Sequence, residues 1–179
     1  NGLQNVQIET VSGKLTDHYD PKDKRMRLSP EVYSGATIAA VSIAAHEAGH
    51  AIQDGIGYKF LKFRNSMVPV VNVVSYISWP LLIIGLIIGI GQYSSIGGLL
   101  FDLGIIFFCV VILFHLITLP VEFDASNRAI AQLQGLGIVG TDEIKGSKKV
   151  LSAAAMTYVA ALAVAVLNLI RILLIRGND

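Results

Sequence analysis

Residues 67–119 contain a single charged side chain, Asp102, although the chain has 14 basic and 13 acidic residues in all. A stretch so bare of charge cannot form the surface of a water-soluble domain, where Lys, Glu, Arg and Asp are almost always found. Within it, residues 67–91 and 96–119 each run for roughly 25 positions, enough to cross a hydrocarbon core of about 30 Å as helix. A third apolar stretch, 153–175, carries only Arg171, close enough to the end to snorkel. Pro80 and the scattered glycines do not spoil these spans, since membrane helices tolerate both residues. The composition agrees: 53% hydrophobic, 15% charged and a mean hydropathy of +0.61. That balance excludes a disordered chain. A formal net charge of +1 with no basic stripe excludes a nucleic-acid binder that works by neutralising phosphates. A single cysteine, Cys109, excludes a disulfide scaffold.

The joining segments suggest a layout. Gln92-Tyr93-Ser94-Ser95 is a short uncharged turn, which makes the first two spans an antiparallel hairpin. Lys59, Lys62 and Arg64 precede the hairpin, and Arg128, Lys145, Lys148 and Lys149 follow it. By the positive-inside rule both flanks lie in the cytoplasm, although Arg171 and Arg176 at the far end of the third span argue mildly the other way. Asn1-Gly2-Leu3-Gln4 reads as an internal start with no secretory signal, so a preceding segment is expected. Residues 6–10 alternate weakly. Residues 14–18 and 25–29 flank Asp20-Pro21-Lys22-Asp23 and read as a small N-terminal β-hairpin. Ser29-Pro30-Glu31 looks like a helix start, and Ser34 is a cap for a further helix over 36–54. The expectation is one membrane-integrated domain, 1–179, with cytoplasmic parts at 1–65 and 120–150.

That further helix contains His46-Glu47-Ala48-Gly49-His50. Residues four apart share a helix face, so both imidazoles can point at one metal ion, with Glu47 beside them to take a proton from metal-bound water. Zinc lowers the pKa of such a water to about 7. Two histidines and a glutamate on a helix are often only polar surface. Here they follow the small apolar run A-T-I-A-A-V-S-I-A-A (36–45), which belongs inside protein, and burying them without a partner would be costly. Catalytic zinc usually takes a third protein ligand. The metzincin pattern is excluded, because Gln53 and Ile56 stand where its glycine and third histidine would be. Glu122, beyond the second span, is the better candidate, since the hairpin topology returns the chain there to the same membrane face. Asp124 is its rival. Both acids could equally be a solvated helix start.

A-A-H-E-A-G-H-A-I-Q, a membrane hairpin and then L-P-V-E-F-D-A-S-N-R-A together resemble the YugP-like neutral zinc metallopeptidases of bacterial membranes. The resemblance extends to Leu15-Thr16-Asp17-His18-Tyr19-Asp20-Pro21 and to residues 148–158. More distantly the chain is similar to HtpX-type membrane proteases. The resemblance implies one zinc ion per chain held by His46, His50 and Glu122, with Glu47 as catalytic base, in a multi-pass protein of the bacterial cell membrane. It departs from the HtpX pattern at Ser126, where an Asp is expected. A hydrogen-bond acceptor for a zinc-bound histidine must then come from elsewhere, with Asp124 and Asn127 as candidates. Members of the YugP-like group usually begin with another membrane helix, which this chain lacks.

The resulting expectation is a mainly α membrane protein, gluzincin-like, with three transmembrane helices, the HExxH helix and the small hairpin. It would cut protein or peptide substrates at the cytoplasmic face of the bilayer, alone or within an oligomer or membrane-protein complex. An intramembrane-cleaving protease and a non-catalytic metal-dependent scaffold are the alternatives. The uncharged stretch 32–45 is short for a span, which argues against the first. The intact Glu47 argues against the second, because a structural site needs no adjacent base. His18 and Tyr19 could donate to the oxyanion or simply occupy the hairpin surface. Arg128 could play the same electrostatic role or belong to the basic face. The hairpin over 14–29 could align a substrate by strand addition. Asp102 and His115 are ionisable groups inside a span, where function is the default reading, although His115 lies near its cytoplasmic end. Residues 22–25 read as a solvated turn, and Cys109 as core packing.

Overall fold

The computed structural model describes residues 2–91 and 95–177. Among these the elements are β1 (Gln7–Thr10), β2 (His18–Asp20), β3 (Arg25–Leu28), α1 (Pro30–Tyr33), α2 (Ile38–Gly55), α3 (Lys59–Gly91), α4 (Ser95–Gly135) and α5 (Glu143–Gly177). They form two compact units, one of Asn1–Lys62 with Leu119–Thr157, the other of Phe63–Thr118 with Tyr158–Asp179.

In the first unit a sheet of order β1-β3-β2 packs on α2. Its central strand alternates: Met26 and Leu28 are buried, whereas Arg25 and Arg27 reach Glu9 at 3.0 and 2.6 Å. Met26, Leu28 and Val32 then meet Ile43, Ala44 and Ala48 of α2. The expected hairpin is present as β2 antiparallel to β3, with His18 opposite Arg27 and Asp20 opposite Arg25. Its first strand is displaced, however, and a third strand, β1, runs parallel to β3. The displacement has a backbone cause. Leu15 takes a φ of 57°, which breaks extended structure before His18. Residues 22–25 are not merely a solvated turn either, for Lys24 pairs with Asp54 and Arg25 with Glu9.

Helix α2 begins one turn later than the Ser34 cap suggests. Thr37 is its cap, its hydroxyl accepting from the Ala40 backbone N–H at 3.1 Å. The helix ends in a glycine turn: Gly57 takes φ 69°, its N–H donates to the Asp54 carbonyl, and the Tyr58 N–H donates to that of Gln53. Residues 120–135 of α4 belong to this unit, and Pro120 does not end the helix. Glu122 is therefore a mid-helix residue, not a helix start. Val121, Ala125, Ala129 and Leu133, spaced by four, make a fully buried stripe beside it.

In the second unit, Leu82, Phe101, Phe108, Ile112, Ala165 and Ile172 form the core. Outside that core the helices expose large apolar side chains, among them Val73, Ile87, Leu99, Val164 and Leu167, each more than half exposed. A water-soluble surface does not carry so continuous an apolar coat. All three helices are long and apolar enough to cross a membrane. Cys109 is exposed on α4, so the core-packing expectation for it is corrected: its position on the helix points it away from the Phe108–Ile112 core. Asp102 pairs with Arg176 at 2.8 and 3.1 Å. Gln92-Tyr93-Ser94 of the expected turn lie outside the described residues.

Candidate metal centre

Helix α2 presents two working faces, because adjacent residues on a helix point about 100° apart. One face carries His46, Gly49, His50 and Gln53 toward α4. Glu47, on the next face, meets β2. The crossing of α2 on α4 is close because residue 49 has no side chain: a Cβ there would collide with the Ala125 backbone carbonyl. That approach places Glu122 against both histidines. Its Oε2 lies 3.2 Å from His46 Nε2 and 3.7 Å from His50 Nε2. The two imidazoles stand edge to face, with centroids 4.7 Å apart. One ligand atom from each of the three residues lies within 4.8 Å of the others.

Glu122 is 2% exposed, and burial alone would raise its carboxyl. Hydrogen bonds and charge from the two histidines more than reverse this, holding it down at about 2. At His50 burial opposes the charged ring, but Glu122 and Glu47 raise its pKa above the ordinary value. Glu47 is pushed up, first by burial and also by the nearby Glu122; the two histidines and a hydrogen bond from the Tyr19 backbone N–H partly oppose this. The donor set fits a divalent metal on chemical grounds. Two imidazole nitrogens and a carboxylate converge in a buried place, and two imidazoles with a carboxylate is a ligand set that catalytic zinc uses.

Behind the ligands stand groups that sequence reasoning did not single out. His46 Nδ1 is 3.2 Å from the Ser126 hydroxyl. The expectation that a partner must come from elsewhere is corrected: Ser126 lies one helical turn beyond Glu122, so its short side chain reaches the ring. The Gln53 side-chain oxygen accepts from His50 Nδ1 at 3.0 Å, and its amide nitrogen donates to the Val121 carbonyl and to Asp124, each at 2.8 Å. Asp124 thus stands behind Gln53 and is held by Arg128 at 2.6 Å. Its carboxyl is pushed up by burial and drawn down further by Arg128 and Gln53, ending below its ordinary value. Asn127 is exposed on α4. His18 is also exposed, its Nδ1 2.7 Å from the Thr16 carbonyl. Tyr19 donates its hydroxyl to Asp54 at 2.7 Å. The signal that could have found Gln53 is its heptad spacing from His46, which puts both on one face of α2.

Comparison with known proteins gives two findings. A family model described as "Putative neutral zinc metallopeptidase" matches residues 1–177. The chain is 47% identical over 181 aligned positions to "Putative membrane protease YugP" of Bacillus subtilis (strain 168), covering 100% of this chain and 77% of that protein. No solved structure matches.

Proposed function

The chain belongs to the neutral zinc metallopeptidase family, and on that premise we propose that it is a membrane-integrated zinc endopeptidase of gluzincin type. Its substrates are proteins or peptides, cut at the cytoplasmic face of the membrane. The observation that carries this reading is the convergence of His46, His50 and Glu122 beside a buried Glu47. The basic residues flanking the first two spans support the cytoplasmic placement.

His46 Nε2, His50 Nε2 and a Glu122 oxygen would hold the ion. Bound there, zinc supplies a Lewis acid that polarises the scissile carbonyl and acidifies water. Glu47 accepts the proton from the attacking water and returns it to the leaving amine. Its raised pKa suits both halves of that task. The Tyr19 N–H, donating to Glu47, keeps the carboxylate oriented. Strand β2 is an edge of its sheet, so an extended substrate can align by adding to it next to the base. The test is cleavage of an unfolded protein by the detergent-purified chain beside Glu47→Gln at matched zinc content. The variant is expected to lose on the order of 10²–10⁴-fold in rate. Equal rates would remove Glu47 from the reaction, and no cleavage by either zinc-loaded form would favour an adaptor.

A further inference from the structure

Each histidine of the centre has its outer nitrogen occupied, but the two partners are of different kinds. A hydroxyl can donate or accept, so Ser126 does not by itself decide which His46 nitrogen carries the proton. Gln53 does decide for His50. Its amide nitrogen faces the Val121 carbonyl and the Asp124 carboxylate, both acceptors when the acid is ionised. The amide therefore cannot be turned round without setting oxygen against oxygen twice. Its oxygen is left facing His50 Nδ1, which must then carry the hydrogen, and Nε2 becomes the free lone pair on the Glu122 side. Gln53 is fully buried, so no solvent competes for these bonds. Asp124 is fixed in turn by two hydrogen bonds from the Arg128 guanidinium, at 2.6 and 3.3 Å.

We propose that Gln53 is a positioning residue. Locked by Val121, Asp124 and Arg128, it sets the tautomer and ring orientation of His50 for metal binding. The inference rests on the proposed metal site and deepens it. It assigns to an uncharged amide the task that a carboxylate or backbone carbonyl commonly performs behind a ligating histidine. It also gives the Asp124–Arg128 pair a function beyond a helix-surface ion pair.

The test is metal affinity, measured on the full chain in detergent by competition with a chromophoric chelator for Zn²⁺, with the absorption spectrum of the Co²⁺-loaded form as a second readout. Gln53→Met keeps shape and removes both acceptor and donors; it is expected to weaken Zn²⁺ about 10- to 100-fold and to alter the Co²⁺ bands. The exchange Gln53→Glu with Asp124→Asn restores an acceptor for His50 Nδ1 and a donor–acceptor contact between 53 and 124. It is expected to bind within about threefold of the parent, a difference of well under 1.4 kcal/mol. Parent-like affinity and Co²⁺ bands in Gln53→Met would overturn the proposal. So would an exchange variant as weak as Gln53→Met, and if Gln53→Met does not fold, the exchange variant decides alone. Should the parent bind no Zn²⁺, or His50→Ala bind it unchanged, the metal reading itself fails, a result the Gln53 variants cannot produce.

Discussion

Residues 119–135 and 95–118 of α4 belong to different units and bury opposite things. The former turn Val121, Ala125, Ala129 and Leu133 inward and place the buried carboxylate of Glu122 among them. The latter bury Phe101, Phe108 and Ile112 and leave Ile96, Leu99, Ile106, Leu113 and Leu116 exposed. In the first unit small side chains let helices approach until polar groups satisfy one another. In the second, large ones fill the core and grease the outside. The difference teaches that the centre depends on backbone proximity, and the membrane unit on side-chain volume.

Two opposed lesions can break that comparison. Phe108→Ala opens the core of the second unit, where the ring also meets Trp79 edge to face at 5.9 Å. It is expected to cost about 3 kcal/mol of stability, while Zn²⁺ affinity stays within about twofold, well inside the tenfold that 1.4 kcal/mol would mean. Thermal melts and chelator competition on one preparation check both halves. Gly49→Ala is the converse. Its added methyl must displace the Ala125 carbonyl, an overpacking cost of about 1–3 kcal/mol. Because α2 and α4 hold the ligands between them, Zn²⁺ affinity falls with it. Retained affinity would show that the ligand set does not depend on this crossing.

The pH response sharpens the same contrast. In the metal-free chain Glu122 is depressed from 4.5 to about 2, so its stabilising contribution is present above 4.5 and lost as pH falls toward 2. His50 is raised above 6.5, so its contribution is full below 6.5 and lost as pH rises through the folded value. Melting of the metal-free chain should therefore be highest between about pH 4.5 and 6.5. Zn²⁺ affinity should climb above that window, because ligating histidines must be neutral. A melting temperature that rises steadily from pH 6 to 8 would contradict the assignment. The smallest effect expected is at Asp102. Its pair with Arg176 is about half exposed, and Asp102→Asn should change stability by less than about 1 kcal/mol, read by the same melts.

Much of this was legible in the residues, for identifiable reasons. Charge depletion over 67–119 marks spans whatever the tertiary structure. The i, i+4 histidines carry their own geometry, and the return of the chain after the second span pointed to Glu122. Three things were not legible. The parallel pairing of β1 with β3 is a long-range choice that weak alternation cannot specify. The start of α2 turned on which of two hydroxyl residues, Ser34 or Thr37, caps it, and local pattern does not rank them. Gln53 and Ser126 carry no metal-binding signature of their own. Their roles come from what α4 sets opposite them, which appears only once the helices cross.

The most direct test of the central claim is X-ray absorption at the zinc edge on the purified, zinc-loaded chain, compared with Glu122→Ala. The account predicts two imidazole nitrogens at about 2.0–2.1 Å with carboxylate oxygen near about 2.0–2.2 Å, and loss of the protein oxygen, with weakened retention of the ion, in the variant. A sulfur shell at about 2.3 Å, or a spectrum unchanged by Glu122→Ala, would contradict it.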